Sequence, residues 1–217
     1  MGHDIATFLT ANASAIFALV GALGGGVLSF FSAMMLKKRE FNLNVSGKLL
    51  ERRIASHEDI IALAIDLRLM VAIGGESDAG EVRRAPHIMT SKDTFEDWFS
   101  HFAQVCLKGT SWLSIEAKRE VNFVQDYLVT LQRYLENIPS DKYLELGELI
   151  RRDFVGMSSS LEKKTFSFFQ TGIRKLELDS LDEWHKYKLS ETESRLKSTE
   201  LLKNYSAFNE AKEAFDC

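Results

Sequence analysis

IFALVGALGGGVLSFFSAMML, Ile16–Leu36, decides the fold of this chain. It is the heart of a run of 32 residues, Ile5 to Leu36, without a charged side chain, and the run stops abruptly at Lys37-Lys38-Arg39. A helix needs roughly 20 apolar residues to cross a hydrocarbon core about 30 Å thick. Ile16–Leu36 supplies 21. The pattern predicts a transmembrane segment with a short outer lead-in over residues 1–36 and one cytosolic domain over residues 37–217, long enough to bury its own core. A cleaved leader would begin with a basic segment and carry a shorter apolar stretch. Neither holds here, and the small-residue triplet Ala11-Asn12-Ala13 precedes the apolar core instead of following it. An uncleaved anchor is the expectation.

Charge sets the orientation. Residues 37–53 hold Lys37, Lys38, Arg39, Lys48, Arg52 and Arg53 against Glu40 and Glu51, a net of +4, whereas Met1–Asp4 holds no Lys or Arg. Basic residues collect on the cytoplasmic side of a span. The N-terminus is therefore expected outside and the large domain in the cytoplasm. Lys37, Lys38 and Arg39 are placed to meet anionic lipid headgroups. A net charge of −4 over the whole chain gives no reason to expect a nucleic-acid partner. The two cysteines, Cys106 and Cys217, have neither metal nor disulfide spacing.

The small residues of the span are not scattered. Ala11, Ala15, Ala18, Ala22, Gly25, Ser29 and Ser32 alternate at spacings of four and three, and Gly21 with Gly25 forms a Gly-x-x-x-Gly pair. In lipid no hydrophobic effect draws helices together; close backbone approach does, and small side chains permit it. A single span has no partner in its own chain, so the seam points to a homo-oligomer.

Beyond the span the pattern is helical throughout. Leu50, Ile54, His57, Ile61, Ala64, Leu67 and Val71 form one stripe, widened by Ile60, Leu63 and Met70. It predicts a helix running on from the membrane and ending near Gly74-Gly75. Residues 74–90, rich in breakers, read as a mobile loop. A second helix begins near Ser91, shows Phe95, Trp98, Phe99, Phe102, Val105 and Cys106 on one face, and closes at Gly109. A third, from about Ser114 to Ile138, carries the seam Ala117, Val121, Val124, Leu128, Leu131, Leu135 and Ile138, a bundle pattern. Residues 142–178 read as helix that Gly147, Gly156 or Ser158–Ser160 bends or splits. Ser180 and Glu183 form a capping box for a last helix towards Phe215. No stretch alternates with a period of two, so the expected fold is all-α: an N-terminal transmembrane helix continuing into a cytosolic helical bundle.

The chemistry is sparse. There is no glycine-rich phosphate loop, no zinc-spaced Cys or His pair and no Gly-x-Ser-x-Gly elbow. No metal or cofactor is expected, and a non-enzymatic role is preferred. One constellation stands out: Arg52-Arg53-Ile54-Ala55-Ser56-His57 has the Arg-x4-His spacing. It resembles the signature of the HEPN superfamily of all-α domains, which includes ribonucleases and toxins. The resemblance implies a dimer interface at which the His moves a proton and the Arg steadies an RNA phosphate. Here Arg53 stands where that family usually has Asn, Asp or His. On a helix of 3.6 residues per turn, five residues rotate by about 140°, so Arg52 and His57 do not share a face. Arg53 and His57 do, and His57 falls in the apolar stripe, where a core or interface histidine is the plainer reading. His87 beside Arg83 and Arg84 is a second Arg/His cluster.

In layout, with one span, a basic collar, an all-α domain and an Arg/His pair, the chain is similar to the HEPN-like single-pass accessory proteins of type VI CRISPR and other bacterial antiviral systems. That resemblance implies a homo-oligomer that forms a pore or perturbs the inner membrane. The expected partners are the lipid bilayer and further copies of the chain, with a cytosolic defence protein as an additional candidate. Two alternatives stand beside it. One is a membrane-tethered HEPN-type ribonuclease using Arg52, Arg53 and His57, for which RNA is the substrate. The other is a scaffold that holds a cytosolic partner at the membrane.

Overall fold

The computed structural model describes residues 13–76, 82–173 and 185–216. The chain divides into two units, Met1–Leu49 and Leu50–Cys217. Helix α1 is assigned from Ala13 to Leu67, and Gly24–Gly26 and Gly47 lie inside it without breaking it. In the first unit its apolar side chains have no cover: Phe17 is 74% exposed, Leu28 70% and Met35 71%.

In the second unit α1 buries Ile60, Leu63, Ala64 and Leu67. Arg53, Ser56 and His57 are buried with them, while Ile54 and Ile61 are only half-buried. The face that meets the core is thus turned slightly from the stripe of Leu50, Ile54 and Ile61 that hydrophobicity alone selects. The helix also stops early. It ends at Leu67, not at Gly74-Gly75, because the chain then enters strand β1, Met70–Glu76. β1 pairs antiparallel with β2, Val82–Pro86, matching Met70 to Pro86, Val71 to Ala85 and Ala72 to Arg84, with a bulge before Glu76. His87 N–H closes the pairing on the Leu69 carbonyl at 2.7 Å. The expected loop over residues 74–90 is therefore corrected: most of its described part is β2 and a 3-10 turn, His87–Met89. The chain is mostly helical, and this hairpin is the exception among the described residues.

Helix α2, Lys92–Gly109, starts where Ser91 accepts a hydrogen bond from Thr94 N–H at 3.1 Å. It buries Phe95, Phe102 and Cys106. Cys106 is 7% exposed, and burial pushes its thiol up to about 12. Helix α3, Ile115–Leu135, buries its whole seam, from Ala117 at 0% to Leu135 at 3%. It ends in a type II turn: Ile138 N–H bonds the Leu135 carbonyl at 3.1 Å, and Asn137 takes the positive φ of 66° that this turn requires at its third residue. The following region splits into α4, Tyr143–Leu149, and α5, Arg151–Ser167. The break falls at Ile150, not at a glycine. A π-helical turn, Phe168–Gly172, follows. The C-terminal part is three helices, not one: α6, Leu189–Lys197; α7, Glu200–Lys203; and α8, Tyr205–Asp216. The capping box at Ser180 and Glu183 lies outside the described residues.

Gly147 shows what seats the hairpin. A Cβ there would stand 2.7 Å from Met89 Cβ and 3.4 Å from Ala85 Cβ. Met89 and Ala85 are both fully buried, so neither has room to move. Gly147→Ala is expected to cost about 2 kcal/mol by overpacking, read as a lower melting temperature. A melting curve identical to wild type would show that hairpin and α4 do not touch in this way.

Candidate functional site

The first site is the bare face of α1. Ala15, Ala18, Gly21, Ala22, Gly25, Ser29 and Ser32 are all exposed, and a methyl group added at Gly21 or Gly25 would meet nothing within 4 Å. Ala11 lies outside the described residues. Lys37, Lys38 and Arg39 follow on the same helix, exposed as well. The helix is long and apolar enough to cross a bilayer, and none of its most apolar stretch is buried in the chain.

The second is the Arg/His cluster. His57 is 0% exposed. Its Nδ1 donates to the Arg53 carbonyl at 2.7 Å, and its Nε2 accepts from Ser114 N–H at 3.2 Å. Ser114 is the N-cap of α3, so His57 ties α1 to an amide the helix start leaves over. The imidazole stacks on Phe168, with ring centroids 3.8 Å apart and planes 16° apart. Arg53 Cζ lies 4.9 Å from the centroid of the same Phe168 ring, whereas Arg52 lies 5.3 Å from the Trp112 ring. Arg53 and His57 therefore share a site and Arg52 points elsewhere, as helix geometry requires. With both ring nitrogens bonded inside the fold, the imidazole has no face open to an RNA phosphate. It is a satisfied core histidine.

The loop cluster does not converge either. Arg83 makes a two-pronged ion pair with Glu148 on α4, at 3.0 Å from Nε and 2.5 Å from Nη2. Arg84 and His87 are exposed. Among the described residues no group of three or more His, Cys, Asp or Glu side chains is placed to hold a metal ion.

Two acidic residues that sequence reasoning passed over organise the C-terminal helices. Glu120 on α3 has a side chain only 1% exposed. Arg195 of α6 grips it with two hydrogen bonds, 2.6 and 3.1 Å, and Tyr187 donates a third at 2.7 Å. Arg195 also lies over the Phe123 ring at 3.6 Å. Burial pushes the Glu120 carboxyl up, but the hydrogen bonds from Arg195, Tyr187 and Ser160 outweigh it and hold the group below its ordinary value. Asp153 on α5 accepts from the N–H groups of Glu200 and Leu201 at 2.8 and 2.9 Å and from the Tyr127 hydroxyl at 3.0 Å. It caps the start of α7. There burial prevails, and the carboxyl is raised. A visible clue was the place of Glu120 beside the α3 seam, next to Val121. No local pattern pairs it with Arg195, 75 residues away.

The arrangement offers an uncovered apolar helix and a tightly bonded helical second unit, with no assembled catalytic group among the sequence candidates. Compared with protein families, curated proteins and solved structures, the chain matches none of them, so a functional reading rests on its own residues.

Proposed function

We propose that this protein is a single-pass inner-membrane protein that assembles with copies of itself through the small-residue face of α1 and acts on the bilayer, opening or weakening it in antiviral defence. The observation that carries this reading is the apolar surface of α1, which has no cover within the chain. Water does not tolerate such a surface over this length; lipid does. The second support is the continuous face of Ala15, Ala18, Gly21, Ala22, Gly25, Ser29 and Ser32, where a second backbone has room to approach. Lys37, Lys38 and Arg39 favour an outside N-terminus and a cytoplasmic domain. The satisfied bonding of His57 argues against the ribonuclease alternative.

The test is the native mass of the detergent-extracted protein and its effect on vesicles. The wild type is expected to run at a multiple of its 24.6 kDa monomer and to release dye from anionic liposomes. Ala22→Leu with Gly25→Leu should return the monomer and abolish release, because two bulky side chains hold the helices apart. A monomeric wild type removes the assembly. An oligomer that releases no dye leaves the assembly and removes its action on the bilayer.

A further inference from the structure

Four helix ends meet at one pole of the second unit, around His57. Ser114, at the start of α3, donates to His57 Nε2, and Phe168, just past the end of α5, stacks on its ring. Gly109, the last residue of α2, lies against Ser56, where an added Cβ would stand 3.5 Å from the serine Cβ. α1 enters the unit at the same pole, at Leu50. The chain segments gathered there are basic. Residues 50–53, 107–119 and 163–169 carry seven Lys and Arg side chains against two acids, Glu51 and Glu116, a net of +5 in a chain whose total is −4. Glu162, just outside these segments, is taken by Arg68 at 2.6 Å. Arg53 is buried, whereas Arg52, Lys108 and Lys163 are exposed.

The same pole shows apolar side chains to solvent. Leu107 is 84% exposed and Phe166 43%. Trp112 is half-buried in the 3-10 turn Thr110–Trp112, with Arg52 Cζ 5.3 Å from its ring centroid. Phe169, also half-buried, lies beside Phe166 with ring centroids 6.0 Å apart. A phosphodiester chain would use the cations and leave Leu107 and Phe166 in water. The boundary of an anionic bilayer takes both: aromatic rings settle at headgroup depth, and basic side chains are drawn to the charged surface.

We propose that this pole rests on an anionic bilayer, with Leu107 and Trp112 entering the headgroup layer and Arg52 and Lys108 on lipid phosphates. Docking of this kind depends on α1 as the membrane anchor. Leu50 follows Leu36, the end of the uncharged run, by 14 residues, so a bilayer that holds the run is within the chain's reach of the pole.

Tryptophan quenching in reconstituted vesicles tests it. The full chain is placed in vesicles of phosphatidylcholine and phosphatidylglycerol in equal parts, with and without bromine on the acyl chains. The difference between wild type and Trp112→Phe isolates the Trp112 emission. Brominated lipid is expected to quench it, and less so in phosphatidylcholine alone. Lys108→Glu and Leu107→Glu, both at exposed positions, should lower the docked-to-free ratio about tenfold or more. Both should keep the wild-type melting temperature and still float with the vesicles. A chain that floats with Trp112 unquenched, equal quenching in the two lipids, or quenching that Lys108→Glu leaves intact would overturn the docking and leave the span standing. A chain that does not float removes the span and the docking together. A mobility shift of single-stranded RNA that Lys108→Glu abolishes, without quenching in vesicles, would assign the pole to nucleic acid instead.

Discussion

Glu120→Ala is expected to lose about 3 kcal/mol of stability, a fall in melting temperature of roughly 6–12 °C for a domain of this size. The size of the effect follows from what the substitution leaves behind. Glu120 is the acceptor for Arg195 and Tyr187 together. Its removal strands a guanidinium whose side chain is only 29% exposed and leaves the Tyr187 hydroxyl without its acceptor. Breaking one half of a buried pair is costly because the other half stays charged, whereas the intact pair contributes little over an apolar replacement. Arg195→Ala should therefore cost nearly as much, and the double substitution much less than the sum. Additive effects would show that the two side chains do not bond.

The pH dependence of the same contact has a definite sign. The folded-state value of Glu120 lies below its ordinary 4.5. Its contribution is therefore present above the unfolded value and lost as pH falls through the folded one. The gap in stability between wild type and Glu120→Ala should be constant near neutral pH and narrow below about pH 4.5. A gap that widens in acid would reverse the assignment.

His57→Ala is the other large effect, about 3 kcal/mol. The imidazole fills space against Phe168 and is the acceptor for the Ser114 amide at the start of α3. Alanine leaves a cavity and an unmet N–H, two separate costs in the same place. The measurement that decides its role is the melting temperature of the variant beside its action on RNA. A variant that melts like wild type while losing an RNA-cleaving activity would make His57 catalytic; the packing predicts an unstable variant and no such activity to lose.

The helical seams were readable because they are local. Ala117 to Leu135 repeats at helical spacing, and every member is buried; Ser91 caps the start of α2, and Gly109 is its last residue. The hairpin was not readable. Val82-Arg83-Arg84-Ala85-Pro86 has no alternation, and its place is set by contact with Gly147 and by the Arg83–Glu148 pair, about 65 residues on. The same limit hid Glu120. A carboxylate in an amphipathic helix reads as part of the solvated face until its distant arginine is known. In α1 the inward face includes Arg53 and Ser56, because ring stacking and capping bonds, not hydrophobicity, decide that end of the helix. The small-residue face of α1 differs in kind. It is legible in the sequence, and among the described residues nothing covers it.

The depth of Cys106 has a practical consequence. A thiol titrating near 12 holds almost no thiolate at neutral pH, so alkylating reagents reach and modify it chiefly when α2 swings away from its neighbours. With Cys217 replaced by serine, the rate of maleimide capture becomes a native clock for the breathing of the domain, and it can be read in living cells without adding a label.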